Sequence, residues 1–232
     1  MVTGGASGIG FALAQRFVHD GNTVIICGRR SETLKEAAQK LPGIITYQAD
    51  LADTAEREKL FKILMSEHTD LNVLVNNAGV QQWIHPDNEN FFTLAKQEIT
   101  INIEAPVHLC QLFLKMPSAE IIMNVTSGLS FVPLTKVPVY SATKAFFHSY
   151  TLSLRHLLKS RGVRVVEIIP PALNTDLGGK GIHDFAPPVG PFIDTIFQKL
   201  EQGQDTLTDA MSESLAKASP ESFDAIFKRM NP

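Results

Sequence analysis

The sequence contains only two cysteines, Cys27 and Cys110, among its 232 residues. They lie far apart in apolar segments, and the chain has no CxxC pair and no His/Cys set with the spacing of metal ligands. This scarcity excludes a disulfide framework and argues against a metal site. We therefore expect two buried free thiols, no bound metal and a reducing, cytoplasmic compartment.

The sequence also lacks a strong excess of either charge and any long apolar run. The net charge is −3 and the pI is near 6.2, which gives no reason to expect a nucleic-acid-binding face. Neither a secretory signal nor a stretch of about 18 consecutive apolar residues is present, so we expect no membrane association. No linker, internal repeat or low-complexity segment divides the chain, and we expect a single domain over residues 1–232.

What the sequence does contain is an alternation of short apolar runs and helical patterns. This alternation is typical of βαβ units and predicts an α/β fold: a single doubly wound, Rossmann-type, mostly parallel sheet with helices on both faces. The predicted strands cover residues 23–27, 44–49, 71–75, 121–125 and 163–169. The predicted helices cover residues 9–20, 31–41, 53–68, 92–116 and 140–160.

Three places in this pattern are unusual. Only residues 1–3 precede the first glycine-rich turn, whereas a central parallel strand has about five residues, so we expect a longer natural amino terminus. Pro106 lies inside the helix predicted over 92–116 and should kink that helix or mark a join between two helices. The glycines and prolines of segment 172–191 predict a loop or lid, and the remainder of the chain is weakly helical.

The turn after the first strand reads Thr-Gly-x-x-x-Gly-x-Gly over residues 3–10. Glycine lets a backbone approach phosphate groups closely, and the helix that follows offers unpaired N–H groups and the positive end of its dipole. The turn therefore predicts a site for the pyrophosphate of a dinucleotide. The residues concerned are Gly4, Ser7, Gly8, Ile9 and Gly10. The alternative is that these glycines serve only the packing of the strand against the helix.

Tyr140 and Lys144 are four residues apart on a predicted helix, so both side chains project from one face. Ser127 follows a predicted strand and precedes the tyrosine by thirteen residues. We expect the lysine ammonium and the positive ring of a nicotinamide to lower the pKa of Tyr140 toward neutrality. Such a phenol can give a proton to a carbonyl oxygen or take one from an alcohol, while Ser127 bonds the same oxygen. Tyr-x-x-x-Lys pairs also occur on exposed helix faces, where they have no catalytic role.

The turn after the second predicted strand bears on cofactor choice. It reads Cys27-Gly28-Arg29-Arg30 and contains no acidic residue. An acidic side chain at this place accepts hydrogen bonds from a ribose 2′-hydroxyl and repels a 2′-phosphate, whereas arginine offers several donors to phosphate. We therefore predict that NADP(H) is favoured over NAD(H), with Arg29 as the stronger phosphate ligand and Arg30 alternatively a solvated side chain.

These features occur together with several others in a fixed order along almost the whole chain. The series is the glycine turn, Asp50, the turn Asn76-Asn77-Ala78-Gly79, Asn102, Ser127, Tyr140-x-x-x-Lys144 and Pro170. It resembles the short-chain dehydrogenase/reductase family. Within that family, segments 71–80, 105–109 and 126–158 look like the DltE-type oxidoreductases.

The resemblance implies roles for individual residues. Catalytic roles are implied for Ser127, Tyr140, Lys144 and Asn102, the last holding a water that links the lysine to solvent. Cofactor contacts are implied for Asp50 and Leu51 at the adenine, for Asn76, Ala78 and Gly79 at the floor of the site, for Tyr140 and Lys144 at the nicotinamide ribose, and for Pro170 and Thr175 beside the nicotinamide. Pro171 departs from the family pattern, which has glycine there, and this substitution stiffens the turn.

The sequence thus predicts an NADP(H)-preferring oxidoreductase that transfers hydride between nicotinamide and a carbonyl or secondary alcohol of a small molecule, with Tyr140 as acid and base. The alternative is a non-catalytic protein that senses a dinucleotide, which has no need of a proton donor. The family resemblance also implies a homodimer or homotetramer. An apolar patch of Phe146, Phe147 and Tyr150 on the Tyr140 helix fits that interface, or packs within one subunit.

Overall fold

Seven short strands and nine α-helices make up the computed structural model, which describes residues 1–232. The strands are β1 (Val2–Thr3), β2 (Ile25–Gly28), β3 (Ile45–Gln48), β4 (Val73–Asn76), β5 (Ile121–Val125), β6 (Arg164–Ile169) and β7 (Thr206–Thr208). The helices are α1 (Gly8–His19), α2 (Ser31–Lys40), α3 (Thr54–Glu67), α4 (Phe91–Ile99), α5 (Ala105–Phe113), α6 (Pro138–Leu158), α7 (Val189–Glu201), α8 (Ala210–Ala216) and α9 (Pro220–Met230).

All seven strands form one parallel sheet in the order β3-β2-β1-β4-β5-β6-β7. The chain builds outward from β1 to β3, returns to place β4 beside β1, and then builds outward to β7. In open α/β sheets, ligands bind outside the carboxyl ends of the strands where the strand order reverses. The reversal here places the turns that follow β1 and β4 at the centre of any such site.

Two hydrophobic clusters cover the two faces of the sheet. One joins the sheet to α3, α5 and α6 and includes Phe61, Phe113 and Ile25. The other joins the sheet to α1, α2 and α7 and includes Leu13 and Ile26. The successive isoleucines of β2 belong to opposite clusters, as the two-residue period of a strand requires. The predicted doubly wound α/β fold is therefore confirmed.

The structure differs from the predicted elements at two places. The helix predicted over 92–116 is two helices, α4 and α5, joined by a π-helical segment at Thr100–Glu104. Pro106 lies in the first turn of α5, where a proline is tolerated, so it marks a join as predicted. Strand β7 was not predicted, because three residues are too few to show a periodic pattern.

Cys27 and Cys110 are buried free thiols, as predicted. Burial raises the pKa of each thiol to about 12, so neither is a reactive thiolate near neutral pH. None of the helices is both long enough and apolar enough to cross a membrane.

Candidate active site

The turn between β1 and α1 takes a conformation that requires glycine. Gly4 and Gly8 have φ angles of +62° and +55°, in the left-handed region that side chains with a Cβ rarely adopt. A Cβ on Gly10 would clash with the carbonyl oxygen of Gly4, so α1 packs directly against the turn. Ser7 precedes α1 and makes no side-chain capping bond. The first N–H groups of α1 therefore lack a capping partner in this side chain.

Hydrogen bonds join this turn to the one after β4. The Thr3 hydroxyl accepts from the backbone N–H groups of Asn77 at 2.9 Å and Ala78 at 3.0 Å, and donates to the Val75 carbonyl at 3.2 Å. The Asn77 side chain donates to the Thr3 carbonyl at 3.0 Å. The two turns at the strand-order reversal thus form one connected unit, and the sequence did not predict the roles of Thr3 and Asn77 in it.

A cleft of about 1000 Å³ runs along the carboxyl ends of the strands. This volume is at the upper end of the range for small-molecule and cofactor sites, about 300–1000 Å³. The predicted site residues in its lining are Gly4, Ser7, Gly8, Ile9, Arg29, Asp50, Leu51, Ala78, Gly79, Tyr140, Lys144, Pro170 and Thr175. Residues from six separate parts of the sequence are therefore brought to one surface.

Four predicted site residues lie behind that surface: Gly10, Asn76, Asn102 and Ser127. The side chain of Asn76 is buried in the core, where it donates to Asn124 Oδ1 at 2.9 Å and to Cys110 Sγ at 3.3 Å. The side chain is thus directed into the core and not into the cleft, and the predicted place of Asn76 at the floor of the cofactor site stays a prediction. The alternation of side chains along β4 turns Asn76 inward, and the neighbouring residue, Asn77, lines the cleft instead.

Tyr140 and Lys144 lie side by side on one wall of the cleft, as their spacing on α6 predicts. Lys144 Nζ is 5.6 Å from the centroid of the Tyr140 ring and donates to the Val125 carbonyl at 2.8 Å. The Ser127 hydroxyl lies near enough to the phenol to act on its pKa, and it accepts from the N–H of Leu129 at 3.1 Å. Phenol, ammonium and hydroxyl thus meet at the carboxyl end of β5.

The pKa of Tyr140 is shifted in the direction opposite to the lowering predicted from the sequence. Burial raises the pKa of Tyr140 above its ordinary value; the Ser127 hydroxyl acts to lower it, and the charge of Glu98 raises it further. Burial also lowers the pKa of Lys144 to about 8. The expected lowering of the tyrosine pKa is therefore not produced by the chain's own groups, because desolvation outweighs the lowering effect of Ser127.

Asn102 lies in the π-helical segment rather than in a regular helix. Its Oδ1 accepts from the N–H of Val80 at 2.9 Å, and its Nδ2 donates to the Val80 carbonyl at 2.9 Å and to the Thr143 hydroxyl at 3.1 Å. A Cβ built on Gly79 would lie 3.3 Å from Asn102 Oδ1 and 3.8 Å from Lys144 Nζ. Asn102 therefore joins the turn after β4 to α6 beside the lysine, and its predicted bound water stays a prediction.

A row of polar side chains on α6 faces the sheet. Besides the Lys144 bond, His148 Nδ1 bonds the buried Glu167 carboxylate at 2.8 Å, and the Thr151 hydroxyl accepts from Asn124 at 2.9 Å. Arg155 donates to the Val165 carbonyl at 2.8 Å. These four residues occur on successive turns of α6, so hydrogen bonds fasten this helix to β5 and β6 along most of its length.

The turns after β2 and β3 supply the other end of the cleft. Arg29 and Arg30 are both exposed there, and Gln48 donates to the Arg29 carbonyl at 3.1 Å. Arg30 precedes α2 and makes no side-chain capping bond. The Asp50 Oδ1 accepts from the Ala52 N–H at 3.0 Å.

Comparison with known proteins decides the family. Residues 1–184 match the sequence model of the family described as short chain dehydrogenase. The chain belongs to the short-chain dehydrogenase/reductase family. The uncharacterized oxidoreductase DltE of Bacillus subtilis strain 168 is 42% identical over 242 residues, which cover 100% of this chain and 95% of that protein. The NADP-dependent 3-hydroxy acid dehydrogenase YdfG of Salmonella typhi is 32% identical over 174 residues, covering 73% and 70%.

A solved structure supports the fold of this short-chain dehydrogenase/reductase. The short chain dehydrogenase from Burkholderia cenocepacia J2315 in complex with NADP superposes with a TM-score of 0.84 at 23% identity, covering 99% of this chain and 95% of that one. Members of the family are oxidoreductases that use a nicotinamide dinucleotide and a small-molecule substrate. The chain is accordingly a short-chain oxidoreductase.

Sequence analysis missed one ionisable residue of this short-chain oxidoreductase. Glu98 of α4 is fully buried and acts on the pKa of Tyr140. A signal was present, because Ala95, Glu98, Asn102 and Ala105 follow one another at spacings of three or four residues, the period of a buried helical face. A carboxyl group on such a face marks a functional residue more often than one on a solvated face.

Proposed function

We propose that this enzyme transfers hydride between NADP(H) and a carbonyl or secondary alcohol, with Tyr140 as the acid and base. The observation that carries the proposal is that Tyr140 and Lys144 share one wall of the cleft, with Ser127 directly behind it and near the phenol. Lys144 is buried without an acidic partner, so it has no salt bridge to explain its place. A phenol, an ammonium and a hydroxyl in contact are the groups that proton transfer at a carbinol oxygen requires.

The shape of the cleft supports a dinucleotide as its ligand. A Cβ on Gly4 would lie 3.0 Å from the Ala78 Cα, and one on Gly8 would lie 3.4 Å from a methyl carbon of Thr175, so side chains there would fill the cradle. We propose that the glycine turn and the start of α1 hold the pyrophosphate. The turns that carry Arg29 and Asp50 then hold the adenosine half, and the turns of Gly79 and Thr175 the nicotinamide half.

The proton chemistry follows from the chain's own residues. The nicotinamide, when bound, supplies or accepts the hydride. In reduction Tyr140 gives its proton to the substrate oxygen, and in oxidation it takes a proton from the alcohol. Ser127 bonds the same oxygen and holds it against the phenol. The Lys144 ammonium, 5.6 Å from the ring centroid, stabilises the phenolate that forms when the proton leaves.

The predicted alternative, a non-catalytic sensor of a dinucleotide, is less well supported. A sensor needs the cradle but has no use for a buried phenol, ammonium and hydroxyl in contact. The family matched by this chain is a family of oxidoreductases. We therefore propose an enzyme. The sensor would be favoured if the unmodified protein converted none of the carbonyl compounds tested.

Cofactor preference gives the first prediction, because Arg29 is exposed at the cleft and no acid occupies its turn. The 32% identical relative YdfG is named as NADP-dependent, which supports the same preference. Arg29→Ala is expected to weaken NADPH binding about tenfold, the loss of one charge-assisted hydrogen bond to phosphate. NADH binding should stay unchanged, since NADH has no 2′-phosphate. Fluorescence titration of the two cofactors measures both affinities.

Arg161→Ala is a matched control, because Arg161 donates to the Leu114 carbonyl in another part of the structure. This variant should bind both cofactors as the unmodified enzyme does. Equal affinity of the unmodified enzyme for NADPH and NADH, unchanged in Arg29→Ala, would contradict the preference for NADP(H).

We also propose the remaining features of the enzyme from the described surface. The continuous seven-stranded sheet supports a single domain over residues 1–232. Within the patch predicted on α6, Phe147 is buried in the subunit, whereas Phe146 is 45% exposed. Leu157 of α6 is 68% exposed and Ile99 of α4 is 40% exposed, which supports a homodimer or homotetramer through these helices. The two buried thiols suit the cytoplasmic location expected from the sequence.

A further inference from the structure

Glu98 is a buried carboxyl group that the proposed mechanism does not use. Glu98 is 0% exposed, and its Oε1 accepts from the backbone N–H of Gln82 at 2.7 Å. Its Oε2 is buried and has no hydrogen-bond partner. A buried carboxyl oxygen without a hydrogen-bond partner destabilises the folded state, so its presence here points to a function.

The placement of Glu98 repeats that of Asn102. The two residues are four apart and lie on one side of the α4–π segment. Asn102 holds the backbone of Val80 through two hydrogen bonds, and Glu98 holds the backbone of Gln82, two residues further on. Val80 and Gln82 both line the cleft. Segment 80–82, which borders the reacting groups, is therefore held at alternate residues by hydrogen bonds from two polar side chains of the α4–π segment.

We propose that Glu98 is a positioning residue for the Tyr140 reaction, which fixes the Gln82 backbone at the edge of the cleft and sets the electrostatic potential at the phenol. This inference rests on the proposed function, because it assigns Glu98 a role through Tyr140. Helix α4 packs directly against α6, which carries the tyrosine. Glu98 itself does not touch the cleft, so it acts on the substrate only through these neighbours.

The electrostatic part of the proposal has a definite sign. Burial raises the pKa of Glu98 to about 7, against which the Gln82 N–H acts to lower it. Tyr140 is the titratable group of α6 whose pKa responds to Glu98; Lys144 of the same helix is directed to the Val125 carbonyl, and residues 81–83 carry no charge. As the pH rises through about 7, Glu98 ionises and raises the pKa of Tyr140, so the phenol holds its proton more firmly.

A carbon-13 label at the ζ carbon of tyrosine tests this coupling without any substrate. The chain has three tyrosines, so three NMR signals result, and Tyr→Phe variants assign them. In the full-length enzyme the Tyr140 signal is expected to show a step with its midpoint near pH 7, caused by ionisation of Glu98. Glu98→Gln keeps an oxygen that can accept from Gln82 and removes the charge, so the step should vanish.

Glu89→Gln is the matched control, because Glu89 is an exposed acid in the loop before α4. The step at Tyr140 should persist in this variant. A Tyr140 signal that titrates in the same way in the unmodified enzyme and in Glu98→Gln overturns the proposal. Because the measurement needs no turnover, it gives its answer even if the enzyme reduces no carbonyl compound, which would refute the proposed function instead.

The pH dependence of turnover supplies a second readout. For any carbonyl or alcohol that the enzyme converts, kcat/KM should change across pH 7 in the unmodified enzyme and lose this change in Glu98→Gln. In alcohol oxidation, the Glu98→Gln profile should shift to lower pH, because the phenol then loses its proton more easily. A purely structural Glu98 predicts superimposable profiles, since the glutamine retains the bond to Gln82.

Discussion

Tyr140→Phe is expected to lower kcat for carbonyl reduction by about 100-fold to 10,000-fold, the contribution of a positioned general acid. The change removes one oxygen atom from a side chain that is 6% exposed, so the ring keeps its packing on α6 while the proton donor is lost. Binding of NADPH should change by less than about twofold, because the glycine turn and Arg29 are untouched. Absorbance of NADPH with a panel of ketones and aldehydes measures kcat, and fluorescence titration measures binding.

Tyr150→Phe is the matched control for this variant. Tyr150 lies on the same helix and packs against the core cluster that contains Cys110, away from the cleft. Its substitution should leave kcat within about threefold of the unmodified enzyme, the range expected for a change in packing alone. Turnover retained in Tyr140→Phe would show that the proton comes from another group, and the catalytic assignment would be withdrawn.

Lys144→Met is expected to abolish turnover and, at pH 7, to make the protein more stable. Burial lowers the pKa of Lys144 from its ordinary 10.5 to about 8, which corresponds to a cost of about 3 kcal/mol for holding the charge in the folded state. Methionine fills a similar volume without this cost. Loss of the hydrogen bond to the Val125 carbonyl lowers the free energy of unfolding by about 1 kcal/mol. The net increase in the free energy of unfolding is therefore about 2 kcal/mol.

The pH dependence of this gain tests its cause. The lysine pKa is lower in the folded than in the unfolded protein, so the penalty is complete below about pH 8 and disappears as the pH rises through 10.5. Chemical denaturation at pH 7 and pH 10 should therefore show a gain that shrinks with pH. Lys159→Met, at an exposed position, should show no such trend. A Lys144→Met protein that is less stable at pH 7 would contradict the desolvation argument.

Features with a repeating pattern were predictable from the sequence. The alternation of apolar runs and helical segments predicts the parallel sheet, and the strand predicted over 121–125 coincides with β5. The spacing of Tyr140 and Lys144 predicts their shared wall, because residues four apart on a helix face the same way. Thr175 faces Gly8 across the cleft, although Pro171 replaces the glycine expected in its turn.

Features that depend on tertiary contacts were not predictable. The Asn76 side chain points into the core because β4 ends at this residue. A sequence pattern does not define the last residue of a strand. The direction of the Tyr140 pKa depends on desolvation, which the sequence does not report. The π-helical segment Thr100–Glu104 contains one extra residue per turn, and none of its residue types is typical of a π-helix.

The polar row on α6 has a consequence for how the enzyme tolerates change. An apolar helix face can slide by a fraction of an ångström over a sheet, since hydrophobic contact has no direction. Directional bonds at His148, Thr151 and Arg155 oppose such a slip, because a hydrogen bond weakens steeply when its distance and angle change. The register of Tyr140 and Lys144 is thus set by bonds as distant as that of Arg155, about three turns beyond the lysine. Substitutions at those distant turns should therefore alter turnover by shifting Tyr140 and Lys144, although no residue of the cleft is itself replaced.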